Sequence, residues 1–241
     1  ALFGITCREL VFYDTVENHI VTQLERGRLC LVEVDGFHLP DTAGVTYRTA
    51  HGKTSIGINR IDAAGRYLEY FHNAGYFSLS GDDYAGAFQH AVAPELRWIP
   101  FTEFARFPEV APTPDHQRAV AGDLLRRHLA RRPAVNPLRT FADVFPAQVE
   151  RVASRGIDFF HLYAFNTVRQ FGANFGLLAS HLDWLDAGFA AEADAARTIS
   201  TTAKTTQFML ARAVARGRFD PLATALVPAV EAWDVLFAGL D

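Results

Sequence analysis

Between residues 35 and 53 the chain gathers Asp35, His38, Asp41, Tyr47, Arg48, His51 and Lys53. Loops that join core strands are where catalytic and binding groups are commonly mounted. His51 stands just before an alternating run, and Asn73 closes the run after it. In a two-stranded hairpin the start of one strand lies beside the end of the next, so the sequence predicts that His51 and Asn73 touch. An imidazole oriented through one ring nitrogen keeps the other free to deprotonate a nucleophile. On this reading His51 and Asn73 are catalytic, and Asp35, His38, Asp41, Tyr47 and Lys53 line the substrate. The plainer reading is a long polar surface loop that happens to carry histidines. A third uses Asp35, His38, Asp41 and His51 as nitrogen and oxygen ligands for zinc or iron. Their spacing matches no familiar metal motif, so no metal and no other cofactor is expected.

The two cysteines are unequal candidates for a nucleophile. Cys30 lies inside the apolar run Leu29 to Val34, where a cysteine acts as a small core side chain. Cys7 has Arg8 beside it, a neighbour that favours the thiolate, but no helix start or glycine-rich turn follows. Farther along, Arg169, Asn174 and His181 fall within a stretch rich in Phe and Leu. A helix apolar on most sides is buried, and polar groups on it either satisfy one another or point into a pocket. The second choice adds these three to the substrate-binding set.

The elements that must hold these groups read as two languages. Val16, Ile20, Val21 and Leu24 make a helical stripe closed by Gly27. Leu29 to Val34 reads as a buried strand, and Lys53 to Ile61 alternates as a half-buried one. Asp62 to Gly65 is a turn and Arg66 to His72 the returning strand. A short helix follows, with Ser80 to Asp83 as its start, and Glu95 to Phe101 is a further strand candidate. From residue 115 the pattern is helical, near 115–131, 138–154, 157–187, 190–216 and 220–239. The proline-rich segment Phe107 to Pro114 is the linker, so the division falls at 1–110 and 111–241. Strands followed by helices argue for an α+β chain with segregated layers.

Composition bounds the function. The chain has 241 residues, 49% hydrophobic and 21% charged, the balance of a globular protein and not of a disordered one. Lys and Arg number 23 against 27 Asp and Glu, a net charge of -4, so no basic field invites nucleic acid. Two cysteines in so long a chain read as reduced thiols in a cytoplasmic setting. The most apolar stretch, Ala223 to Leu240, is interrupted by Pro228, Glu231 and Asp234, so no membrane partner is expected.

Several motifs carry a resemblance. They are the run Leu31 to Gly44 (with Asp35-Gly36-Phe37-His38-Leu39-Pro40-Asp41), Tyr47-Arg48, His51-Gly52-Lys53-Thr54, Tyr70 to Phe77, Arg169 to Asn174, and His181-Leu182. Across nearly its whole length the chain resembles an uncharacterised bacterial family, a domain of unknown function whose members are often encoded beside amino acid:carrier-protein ligases. More distantly the layout is similar to papain-like acyltransferases of the butirosin biosynthesis protein H type. The resemblance implies a papain-like, cysteine-peptidase-like antiparallel sheet with a helical bundle packed on it. It also implies transfer of an aminoacyl group from a phosphopantetheine-bearing carrier protein to an acceptor. His51 would match the catalytic histidine and Asn73 the orienting asparagine, with the nucleophilic cysteine upstream of residue 1. An arginine cluster, Arg126, Arg127, Arg131 and Arg132, would suit an acidic carrier. The alternatives are a thioesterase or amidase of the same fold, or a non-catalytic module that binds the loaded carrier.

Overall fold

The computed structural model describes residues 2–240, which divide into two compact units between Gln117 and Arg118. The first is α+β. Its strands are β1 (Thr6–Glu9), β2 (Leu29–Asp35), β3 (Lys53–Asp62), β4 (Tyr67–His72), β5 (Gly75–Ser80) and β6 (Thr102–Arg106). They form one antiparallel sheet in the order β1-β6-β2-β3-β4-β5. Helix α1 (Val16–Glu25) packs on this sheet, and α2 (Gly81–Ala87) follows β5.

Local chemistry explains these boundaries. Thr15 caps α1, its hydroxyl accepting the Asn18 N–H at 3.2 Å, and Gly27 ends it in the left-handed region at φ +69°. Strand β2 alternates strictly: Cys30, Val32 and Val34 are buried, while Leu31, Glu33 and Asp35 lie on the other, half-covered face. The apolar run suggested burial on both faces, but only one face has α1 and the rest of the core upon it. The buried side of β2 joins Ile20, Leu39, Ile56, Ile58, Leu68 and Tyr70 in one apolar core. Burial at about 25 cal/mol per Å² makes such a cluster the main force holding the layer together.

Three strands differ from expectation. Glu95 to Phe101 is not a strand: Pro94–Leu96 is a 3-10 turn, and pairing begins at Thr102, beyond Pro100. Proline lacks the donor that a ladder needs. Strands β1 and β5 were not legible, because both are short and mostly exposed, and the pattern of burial that marks a strand is weak in them.

The second unit is helical: α3 (Pro114–Leu129), α4 (Pro137–Arg155), α5 (Ile157–Asn166), α6 (Val168–Leu185), α7 (Ala190–Arg216) and α8 (Val227–Gly239). The predicted helix over 157–187 is two. Thr167 breaks it at φ -122° and ψ -89°, its hydroxyl bonded back to the Tyr163 carbonyl at 2.6 Å. Nor is this stretch buried all round, since Leu162, Phe165 and Leu177 are exposed. Asp220–Gly239 is long and apolar enough to cross a membrane by length and composition alone. Its Ala229, Val230, Trp233 and Leu236 are buried in the core of this unit, while Val227 and Val235 are exposed.

Candidate functional site

The connection from β2 to β3 builds the site. It opens with 3-10 turns at Gly36–His38 and Pro40–Thr42. Because β2 and β3 are antiparallel, Asp35 lies directly across from Lys53, and the loop's two ends meet. Gly36 closes them, its N–H donating to the Gly52 carbonyl at 2.7 Å. A Cβ at Gly36 would stand 2.8 Å from Thr46 Oγ1 and 3.3 Å from the Gly52 carbonyl, so a larger residue would force the closure to shift. Thr42 and Thr46 hydroxyls both donate to the Gly36 carbonyl, at 3.0 and 3.3 Å.

At this closure His51 Nδ1 lies 2.6 Å from Asp35 Oδ2. The carboxylate only accepts, so the proton sits on Nδ1 and the lone pair of the neutral ring on Nε2. Asp35 Oδ1 also accepts the Phe37 and Gly52 N–H groups, each at 3.0 Å. Burial pushes the Asp35 carboxyl up, but the bonds from His51, Phe37 and Gly52 outweigh it and hold the group below the usual carboxylate range. Phe37 stacks on the His51 ring at 4.6 Å, and the Arg48 guanidinium lies 5.6 Å from the Phe37 centroid. Arg48 is in the left-handed region at φ +57° and forms an ion pair with Asp83 of α2, which also accepts from the Tyr47 hydroxyl at 3.0 Å. Strain of this kind persists where surrounding contacts impose it.

Asn73 does not orient His51. Its side-chain amide lies 3.5 Å from the ring of the adjacent His72. The reason is register. Strand β4 pairs with the later part of β3, Gly57 to Asp62, while the early part, Lys53 to Ile58, pairs with β2. The neighbour of His51 is therefore Asp35, and the sequence did contain the signal: the two residues bracket one antiparallel connection.

The remaining candidates scatter. Asp41 is buried away from His51, where it accepts from the Tyr70 hydroxyl and from His72 Nδ1 at 2.6 Å, while His72 Nε2 accepts from Thr54 at 2.9 Å. These bonds anchor the loop to β4, so the structure does not bring Asp41 to His51. His38 packs edge-on to Phe37 and against Gly86, with a buried Nδ1 that has no hydrogen-bond partner among the described residues. Burial lowers its pKa. Lys53 pairs with Glu33 at 3.1 Å and lies 5.3 Å from the Trp98 centroid. Arg169, Asn174 and His181 belong to the second unit, spread along α6. Arg169 lies 5.1 Å from the Phe165 centroid and His181 5.7 Å from Trp184. None of the three side chains hydrogen-bonds to another described residue. The proposed zinc or iron set does not converge either: among the described residues no group of three His, Cys, Asp or Glu side chains forms a metal site.

Neither cysteine reaches His51. Cys7 pairs through Ala105 to Leu29, at the far end of β2, about 20 Å along the strand from Asp35 at roughly 3.3 Å per residue. Cys30 is buried near that same end, and burial pushes its thiol up to about 11.

The first unit also holds a cleft of about 710 Å³ whose lining includes Glu33 and Lys53. Glu33 shares the half-covered face of β2 with Asp35, and Lys53 stands opposite Asp35, so the cleft begins one residue pair from the His51–Asp35 contact. Gln89, at φ +57°, holds its far wall by two bonds to the Trp98 main chain, at 2.9 and 3.0 Å. Arg48, Asp83, Gln89 and Trp98 escaped the sequence reading as a set, since only long-range packing joins them.

No curated protein matches the chain. Residues 1–107 match the DUF1839 N-terminal domain and residues 114–241 the DUF1839 C-terminal domain. The seam between the matches coincides with the proline-rich segment, and together they span nearly all of the sequence. The chain belongs to the DUF1839 family, a domain-of-unknown-function family.

Proposed function

We propose that the protein performs acyl transfer, with His51 as general base and acid and Asp35 as the residue that fixes its tautomer. The observation that carries this is the 2.6 Å contact between His51 Nδ1 and Asp35 Oδ2, with the histidine side chain open to solvent beside a cleft. Such a pair contributes about 10²–10⁴-fold when it moves a proton in the transition state. The resemblance to papain-like acyltransferases supplies the substrate class: an aminoacyl thioester on a phosphopantetheine-bearing carrier. Nε2 takes the proton of the attacking thiol, amine or hydroxyl as its heteroatom bonds to the thioester carbonyl carbon. The tetrahedral adduct collapses, the C–S bond breaks, and the proton on Nε2 passes to the departing thiolate. Asp35 takes the orienting role in place of Asn73, and the distance of Cys7 and Cys30 from His51 speaks against either as the attacking thiol.

The test is intact-mass measurement of the full-length gene product before and after incubation with an aminoacylated carrier protein and an amine. Loss of the aminoacyl group from the carrier and its appearance on the enzyme or on the amine, abolished in His51→Ala, is the expected result. A carrier that stays loaded overturns transfer. If it remains bound to the protein as well, the binding-module reading stands instead.

A further inference from the structure

We propose that the 710 Å³ cleft of the first unit is a binding site for a primary ammonium carried on a short apolar group. This deepens the acyl-transfer reading and rests on it for the role of the ligand, though not for its binding. The volume falls in the range of small-molecule sites, and the walls are a mixture of apolar surface and a few placed polar groups. Val16, Phe88, Trp98, Ile99 and Phe101 supply the apolar part. Ile99 is 82% and Phe101 53% exposed, so apolar surface stands at the mouth with nothing of the described chain upon it.

The charge in the cleft selects the ligand. Glu9, Asp14, Glu17 and Glu33 line it against Lys53 and Arg97. Lys53 is matched to Glu33, and Arg97, held to the wall by its bond to the Val92 carbonyl at 2.8 Å, keeps its charge, so four carboxylates stand against two cations. Glu17 is the best-placed acid. Its Oε1 accepts from His90 at 2.7 Å and from the Tyr84 hydroxyl at 3.2 Å, which fixes the carboxylate, while Oε2 makes no hydrogen bond to a described residue. A fixed carboxylate with one free oxygen beside apolar walls fits a primary ammonium, whose N–H groups need acceptors once water is displaced. A carboxylate or phosphate ligand would face like charge on Glu17 and Asp14. The ammonium is either the α-amino group of an aminoacyl donor or the acceptor amine.

The experiment is calorimetric titration of the 241-residue chain with L-leucinamide, N-acetyl-L-leucinamide and glycinamide. Leucinamide is expected to bind at least tenfold more tightly than either of the others. Glu17→Gln should remove most of the advantage over the acetylated compound. Ile99→Ser, at a site too exposed to govern folding, should remove most of the advantage over glycinamide. Equal binding of leucinamide and its acetylated form, or no binding, overturns the proposal. Displacement of leucinamide by the leucyl thioester of N-acetylcysteamine assigns the cleft to the donor, and displacement by n-butylamine alone assigns it to the acceptor. Failure of the acyl-transfer reading is separable: ammonium-selective binding without turnover refutes transfer only. Turnover that is indifferent to N-acetylation of the aminoacyl group refutes only the cleft's ligand.

Discussion

The first unit contains the same contact twice. His51 meets Asp35 and His72 meets Asp41, each through Nδ1 and Oδ2 at 2.6 Å. In the first pair the side chains are 75% and 25% exposed, in the second 5% and 3%. The second nitrogen decides what each pair can do. That of His72 is taken by Thr54, so both ring nitrogens of the buried pair are engaged within the fold. That of His51 makes no hydrogen bond to a described residue. Burial turns one pair into a fastener between the loop and β4, and exposure leaves the other able to exchange a proton. Distance alone does not set what such a pair can do; the occupancy of the far nitrogen does.

Removing the carboxylates should separate the two roles. Asp41→Ala leaves the Tyr70 hydroxyl and His72 without their acceptor in the core. Breaking a buried pair costs about 3–5 kcal/mol. Urea unfolding of the first unit is expected to shift by that amount. A shift no larger than that of Asp35→Ala would erase the distinction. Asp35→Asn acts in the opposite sense. The pair is exposed enough that stability should change by less than about 1 kcal/mol. The carboxamide no longer imposes the Nδ1–H tautomer, and acyl transfer should fall about 10²–10⁴-fold. Retained activity would remove His51–Asp35 from the mechanism.

Gly36→Ala sharpens the comparison from the backbone side. The added methyl meets Thr46 Oγ1 at 2.8 Å and the Gly52 carbonyl at 3.3 Å, both at the loop closure that places His51. Overpacking of this kind costs about 1–3 kcal/mol. The His51 ring resonances should move while those of His72, anchored on β4, stay near their wild-type positions. Equal movement of both rings would mean that the closure and the anchor are one unit.

What the sequence disclosed follows from range. Helix α1 and strands β2 to β4 came from periodicity and from Gly27, because those signals act over a few residues. The cluster of Asp35, His51 and Tyr47 in one loop was legible as a concentration of polar types between apolar runs. Which of them pair was not, because pairing depends on register. Strand β3 overhangs β4 at its start and leans there on β2, so a hairpin argument that looked only forward assigned Asn73 to His51. Asp41 reads like a surface loop residue, and its burial needs Tyr70 and His72, both some thirty residues on. Arg48 and Gln89 carry positive φ without being glycine, a strain no composition rule announces.

Acid titration gives the smallest effect and tests the exposed pair most directly. The hydrogen bonds from His51, Phe37 and Gly52 favour the ionised Asp35, and its carboxyl in the folded chain therefore sits below the unfolded value of about 3.9. A depressed carboxyl contributes stability that is fully present above the unfolded value and is lost as pH falls through the folded one. The expected result is a carboxyl carbon resonance of Asp35 that titrates with a midpoint below about 3.9. Asp35 should also titrate lower in the wild type than in His51→Ala, where its largest favourable hydrogen bond is gone. A midpoint at or above the ordinary value, unchanged by His51→Ala, would mean that the imidazole and the carboxylate do not hold each other in solution. The contrast between an open pair and a closed one would then rest on the buried pair alone.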